Sequence, residues 1–177
     1  MRALTNQRRN LIMAAAILTA ARLRELLSYD QESGDFTRIS RKKGVVLGEI
    51  AGSKMSHGYI SICIDGIDYT AHRLAWFYVY GFWPNGYIDH INGERADNRI
   101  SNLRDVTQSV NMQNVYEAKS NSKTGLRGVS WHTQRKKYTA RIKVGGKYLS
   151  LGLHATPEAA HDAYMDAKRK MHEGCSR

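Results

Sequence analysis

Cysteine is scarce: among 177 residues only Cys63 and Cys175 occur, the first in an alternating strand-like run and the second near the end. That excludes a disulfide framework and a cysteine-based zinc site. Long hydrophobic runs are also missing. No stretch approaches the roughly 20 apolar residues of a membrane-spanning helix. Residues 11–21 come nearest, preceded by Arg8 and Arg9 and followed by Arg22 and Arg24. They have the look of a short signal core, yet no polar cleavage region follows, and the apolar pattern continues into Leu23, Leu26 and Leu27. The chain is therefore expected to be cytoplasmic, with no membrane partner. Acidic residues are under-represented, 16 against 27 Lys and Arg, for a formal net charge of +11. Such an excess points to a polyanionic partner, since Lys and Arg on a duplex release condensed counterions. Hydrophobic residues make up 42%, too many for a disordered tail. Internal repeats are absent.

What is there separates into four stretches. Residues 1–70 read as a small sheet scaffold. Thr19 caps a helix over 20–27, residues 29–35 form a turn, and 36–39 a strand. Asp65-Gly66 joins strands 59–64 and 67–70 in a tight hairpin. Residues 71–118 begin with aromatic and apolar residues at helical spacing over 72–80, ending at Gly81. Pro84 forces an extended approach into Tyr87-Ile88-Asp89-His90, Asn92-Gly93 turns, and Leu103-Arg104-Asp105-Val106 is a second strand. Thr107 caps a following helix. Residues 119–125 are a polar linker. Residues 126–177 read as strands over 128–132, 138–144 and 147–153, then a helix to about 173 opened by Thr156-Pro157-Glu158. The fold class is α+β.

Asp89, His90, Asn102 and Asn111 carry the chemistry. Hydrolysis of a phosphodiester needs an activated water and stabilisation of charge on phosphate and leaving oxygen. A neutral imidazole is a suitable base, and a hard cation held by oxygen ligands can neutralise the charge. Neighbours on a strand point to opposite faces unless the strand bends, which the turn after Ile91 allows. A helix packed across two strands could bring the Asn111 amide to Asp89. The structural alternative is an Asp-His pair bonded only to itself and water.

The stretch His72-Arg73-Leu74-Ala75-Trp76, then Ile88-Asp89-His90-Ile91-Asn92-Gly93, Asp97-Asn98-Arg99, Ser101-Asn102-Leu103-Arg104-Asp105-Val106-Thr107 and Asn111 resembles the HNH endonuclease family, in particular its phage and intron-borne homing branch. The resemblance implies a ββα-metal nuclease element. It implies His90 as general base, Asp89 and Asn111 as ligands of one divalent cation per active site, and Asn102 as the middle Asn that braces the loop and orients His90. Many members have His where Asn111 stands. The departure argues against Zn²⁺, which favours His and Cys, and towards Mg²⁺ or Mn²⁺. Asn98 reads as shaping the loop, and Asp97 and Asp105 as turn or helix-entry residues rather than metal ligands. His72 reads as packing, and Arg73 as within reach of a phosphate.

Residues 119–157 contain no acid but nine Lys and Arg, interleaved with Trp131, Tyr138 and Tyr148. Strand alternation puts Lys137, Thr139, Arg141 and Lys143 on one side and Tyr138, Ala140, Ile142 and Val144 on the other. One face can meet DNA while the other packs on a helix striped with Ala160, Ala163, Tyr164 and Ala167; otherwise the basic face is merely solvated. Gly125-Leu126-Arg127-Gly128-Val129-Ser130-Trp131, Tyr138-Thr139-Ala140-Arg141-Ile142, Leu151-Gly152 and the Ala-rich helix resemble the Apetala/ethylene-response-factor DNA-binding domain. That resemblance implies a three-stranded antiparallel sheet on one helix, set in the major groove of double-stranded DNA. Arg127, Trp131 and Arg141 match its contact positions, and Arg135, Lys137 and Lys143 join them on charge.

The expected activity is metal-dependent cleavage of duplex DNA by a phage- or mobile-element-encoded enzyme acting in the host cytoplasm. Two alternatives compete: a DNA-binding protein with an inactive HNH element, and an RNA-directed nuclease. The narrow RNA major groove weighs against the second. A monomer would nick; a double-strand break would need a homodimer or two successive events. A fragment ending near residue 119 is expected to keep its whole metal site.

Overall fold

A computed structural model describes residues 18–40, 46–118, 120–172, 174 and 175. Residues 1–17, including most of the apolar run at 11–21, Lys119 of the linker and Glu173 lie outside that description. The chain divides into two compact units. One runs to Asn85 and resumes for Arg95–Leu103; the other takes Gly86–Glu94 and everything from Arg104 on.

In the first unit, Thr19 caps α1 (Ala20–Leu26) by accepting from the Arg22 amide at 3.1 Å. β1 (Leu27–Tyr29) follows without a break and pairs antiparallel with β2 (Phe36–Arg38). β3 (Ser53–Lys54), β4 (Ile60–Ile64) and β5 (Ile67–Thr70) form a second antiparallel sheet with β4 central. The β4–β5 turn takes Asp65 and Gly66 at φ +50° and +84°. This is the doubly left-handed turn whose twist suits a hairpin. α2 (Ala71–Tyr80) ends at Gly81 and packs on α1, β4 and β5. Leu23, Leu27, Phe36, Ile62 and Leu74 are the largest fully buried side chains described in this unit. Trp83 stacks on Phe77 at 4.2 Å and on Tyr69 at 5.8 Å, fixing the chain around Pro84.

The scaffold also grips the loop 95–102. The Tyr29 hydroxyl donates to the Asn98 carbonyl at 2.6 Å, and burial pushes that phenol's pKa up. Gly34 lies so close to the Asn98–Arg99 backbone that a Cβ there would stand 2.5 Å from the Arg99 nitrogen. Arg95 donates to the His57 carbonyl at 2.9 Å and lies over the Tyr59 ring.

In the second unit, β6 (Tyr87–His90) pairs with β7 (Leu103–Val106), whose first residue closes the other unit. Asp105, read from the sequence as a turn or helix-entry residue, lies within β7, where it accepts from the Gly86 amide at 2.8 Å. Thr107 then caps α3 (Gln108–Gln113), which packs on β6. β8 (Val129–His132), β9 (Lys137–Val144) and β10 (Lys147–His154) form an antiparallel sheet with β9 central. α4 (Pro157–Met171) packs on all three strands. Its buried Ala160, Tyr164 and Ala167 meet Val129, Ala140 and Ile142. Apolar burial of this kind drives the sheet–helix association.

Candidate active site and basic face

Asp89 and His90 close β6, and both are buried, 6% and 4% exposed. A carboxylate at that depth requires partners. Arg104, across on β7, supplies two: its Nε and Nη2 donate to Asp89 Oδ2 at 2.9 and 2.7 Å. Asn114 supplies the others. Its Nδ2 lies 3.0 Å from Oδ1 and 3.1 Å from Oδ2 of Asp89, and 2.7 Å from the His90 carbonyl. One amide thus ties the two residues together.

The sequence predicts that Asn111 reaches Asp89. The amide that meets this carboxylate is Asn114, the C-cap of α3; Asn111 is half-buried and lies earlier on the helix, its carbonyl accepting from the Asn114 amide at 3.2 Å. The available signal was the spacing Asn111-Met112-Gln113-Asn114, which places two amides on neighbouring helix positions. Asn102 belongs to the first unit. It is buried in a 3-10 turn (Ile100–Asn102), and its Nδ2 donates to the Asp97 carbonyl at 2.9 Å, closing the loop.

Among the described residues no group of three or more His, Cys, Asp and Glu is arranged to hold a metal ion. Asn114 Oδ1 is buried without a hydrogen-bond partner. A carboxylate and an orphaned amide oxygen are donors of the hard class that Mg²⁺ or Mn²⁺ takes. The residues present therefore fit that class of ion.

On the basic sheet, β9 follows strict alternation. Lys137, Arg141 and Lys143 are exposed, whereas Ala140 and Ile142 are buried. Tyr148, 69% exposed, stands between two cations, Arg141 and Lys143, each 5.8 Å from its ring centroid. Trp131 is 48% exposed and meets Tyr138 edge-on at 4.8 Å. Arg135 lies exposed in the β8–β9 turn, its amide donating to His132 Nδ1. Arg127 is half-buried and donates to the Tyr164 hydroxyl and to the Glu117 and Met112 carbonyls at 3.2, 3.0 and 3.3 Å. In the first unit, Arg73 lies over the Trp83 ring at 5.9 Å, and His72 is buried beside Tyr59.

No helix among the described residues is long and apolar enough to cross a membrane. No solved structure matches the chain. Protein 3.8 of Escherichia phage T7 is 35% identical over 77 residues, covering 43% of this chain and 63% of that protein. The chain thus spans under two thirds of the curated relative's length. Residues 69–113, which carry Asp89, His90, Asn102 and Asn111, match the family model described as HNH endonuclease.

Proposed function

We propose that this protein is a divalent-cation-dependent endonuclease acting on duplex DNA. The observation that carries the reading is the buried Asp89–His90 pair, bound together by Asn114 and lying within the stretch that matches the HNH endonuclease model. Asp89 with Asn111, and the orphaned oxygen of Asn114, would hold one Mg²⁺ or Mn²⁺. Bound there, the cation would neutralise charge on the phosphate and the departing oxygen. A ring nitrogen of His90 takes the proton of the water that attacks phosphorus, as the new O–P bond forms and the bond to the leaving oxygen breaks. Asn114 steadies the His90 backbone through its carbonyl, and Asn102 braces the loop 97–102.

Duplex DNA is the substrate that the charge distribution favours. Lys137, Arg141 and Lys143 supply phosphate contacts on one sheet face together with Tyr148, Arg135 adds a charge from the β8–β9 turn, and Trp131, paired with Tyr138, offers an exposed ring on the edge strand β8. The likeness to an Apetala/ethylene-response-factor domain supports the same face. Arg127, half-buried, and Arg73 of the first unit are further candidates for a phosphate. A phage or mobile-element source accords with the T7 relative.

A second reading, DNA binding without cleavage, draws support from the Arg104–Asp89 ion pair, which occupies a carboxylate a cation would need. Incubation with supercoiled plasmid separates the two. Relaxation or linearisation in Mg²⁺, none in EDTA, and a rate at least roughly 10²-fold lower for His90→Ala are expected. Plasmid left intact under Mg²⁺ and Mn²⁺ would leave only the binding protein. Cleavage of RNA in preference to plasmid would transfer the activity to the other polymer.

A further inference from the structure

Arg104 links Gly174 to the candidate cation site. Arg104 Nη2 carries two hydrogens, and it donates both to Asp89 Oδ2 at 2.7 Å and to the Gly174 carbonyl at 3.0 Å. Gly174 is itself fixed on α3: its amide donates to Gln113 Oε1 at 3.0 Å. A Cβ at Gly174 would collide with the Val110 carbonyl and the Gln113 side chain, so only glycine sits this close. Lys168 of α4 makes a second tie. It is fully buried, with Nζ 3.0 Å from the Val115 carbonyl and 3.1 Å from the Tyr116 ring centroid. Beyond Gly174, the Cys175 thiol lies 3.2 Å from the Tyr116 hydroxyl.

The guanidinium is a cation. A divalent cation arriving at Asp89 therefore meets a like charge already bonded to its ligand. The Gly174 carbonyl is a second acceptor within reach of the same nitrogen. We propose that Arg104 is an exchangeable latch: it holds Asp89 in the metal-free protein and shifts its bonding towards the Gly174 carbonyl as the cation binds. Cation binding and docking of the tail then strengthen one another, because linkage between two sites is reciprocal. Arg104 is a positioning residue, and Gly174 its second receptor. The latch rests on the reading of Asp89 as a cation ligand.

Mn²⁺ binding to the full-length protein without DNA, followed by electron paramagnetic resonance, tests it. Arg104→Met should bind Mn²⁺ roughly tenfold more tightly, a coupling of ordinary size. Gly174→Val should bind more weakly by a similar factor. In the Arg104→Met background, Gly174→Val should have no further effect. Arg104→Gln serves if circular dichroism shows that Arg104→Met is unfolded. Equal or weaker binding by the Arg104 variant, or a Gly174 effect that persists in its background, overturns the latch. Asp89→Asn separates the two levels: Mn²⁺ binding that survives it removes Asp89 as a ligand and the latch with it. Binding lost with Asp89→Asn, but not tightened by the Arg104 variant, removes the latch alone. A readout independent of affinity is maleimide labelling of Cys175 in a Cys63→Ser chain. Mn²⁺ should slow it, and a rate indifferent to Mn²⁺ would contradict the coupling.

Discussion

Two asparagines at the end of α3 invite different tests because they are buried to different degrees. Asn114 is enclosed and joins Asp89 to the His90 carbonyl. Asn114→Ala would leave a buried carboxylate and a carbonyl short of a donor, a loss of about 1–3 kcal/mol. Urea unfolding should show a lowered midpoint with an unchanged slope. Asn111 is half-buried, and Asn111→Ala should stay within about 0.5 kcal/mol of the parent. If Asn111 is a ligand, that variant should instead need more Mg²⁺ for half-maximal cleavage. An unchanged metal requirement would leave Asn114 as the amide serving the site.

The β8–β10 sheet and α4 form an element whose closeness depends on Gly128. It has φ +79°, and a Cβ there would enter the Tyr164 ring. Gly125, at φ +67°, meets nothing within 4 Å. Both positions disfavour a side chain by backbone conformation. Only Gly128 adds a collision with a buried aromatic. Gly128→Ala should therefore lower the melting temperature clearly more than Gly125→Ala and weaken DNA binding with it. Equal melting shifts would mean that Tyr164 yields without cost and that the sheet does not depend on this packing.

For the whole molecule, the placement of the tail revises what a truncation should do. The sequence suggests that a fragment ending near residue 119 keeps its cation site and loses DNA affinity. Yet Lys168 and Gly174 hold the far side of α3 and its exit. The fragment is now expected to bind Mn²⁺ more weakly as well. A full-length chain with Lys137, Arg141 and Lys143 all changed to Ala provides the contrast. Its slope of log affinity against log salt should flatten by about 0.9 for each phosphate no longer neutralised. Its Mn²⁺ affinity should not move. Titrations at three salt concentrations, with and without DNA, check both. A fragment with full Mn²⁺ affinity would show that the tail is dispensable to the site.

The residues by themselves determined what depends on near neighbours. Thr19, Thr107 and Thr156 cap helices because a hydroxyl reaches an amide three residues on. Asp65-Gly66 turns a hairpin, and alternation divides β9 into a basic and an apolar face. The stretch matched as HNH endonuclease was legible from the order and spacing of Asp89, His90, Asn102 and Asn111. Tertiary structure decided which groups from distant parts of the chain meet. It put Asn114 rather than Asn111 on Asp89, tied Arg127 to the Glu117 carbonyl, and joined Arg104 to Gly174 across 70 positions. It also divided the 69–113 stretch between two units. No local period encodes such partners, because a buried charge takes whichever donor the packed chain brings within about 3 Å of it.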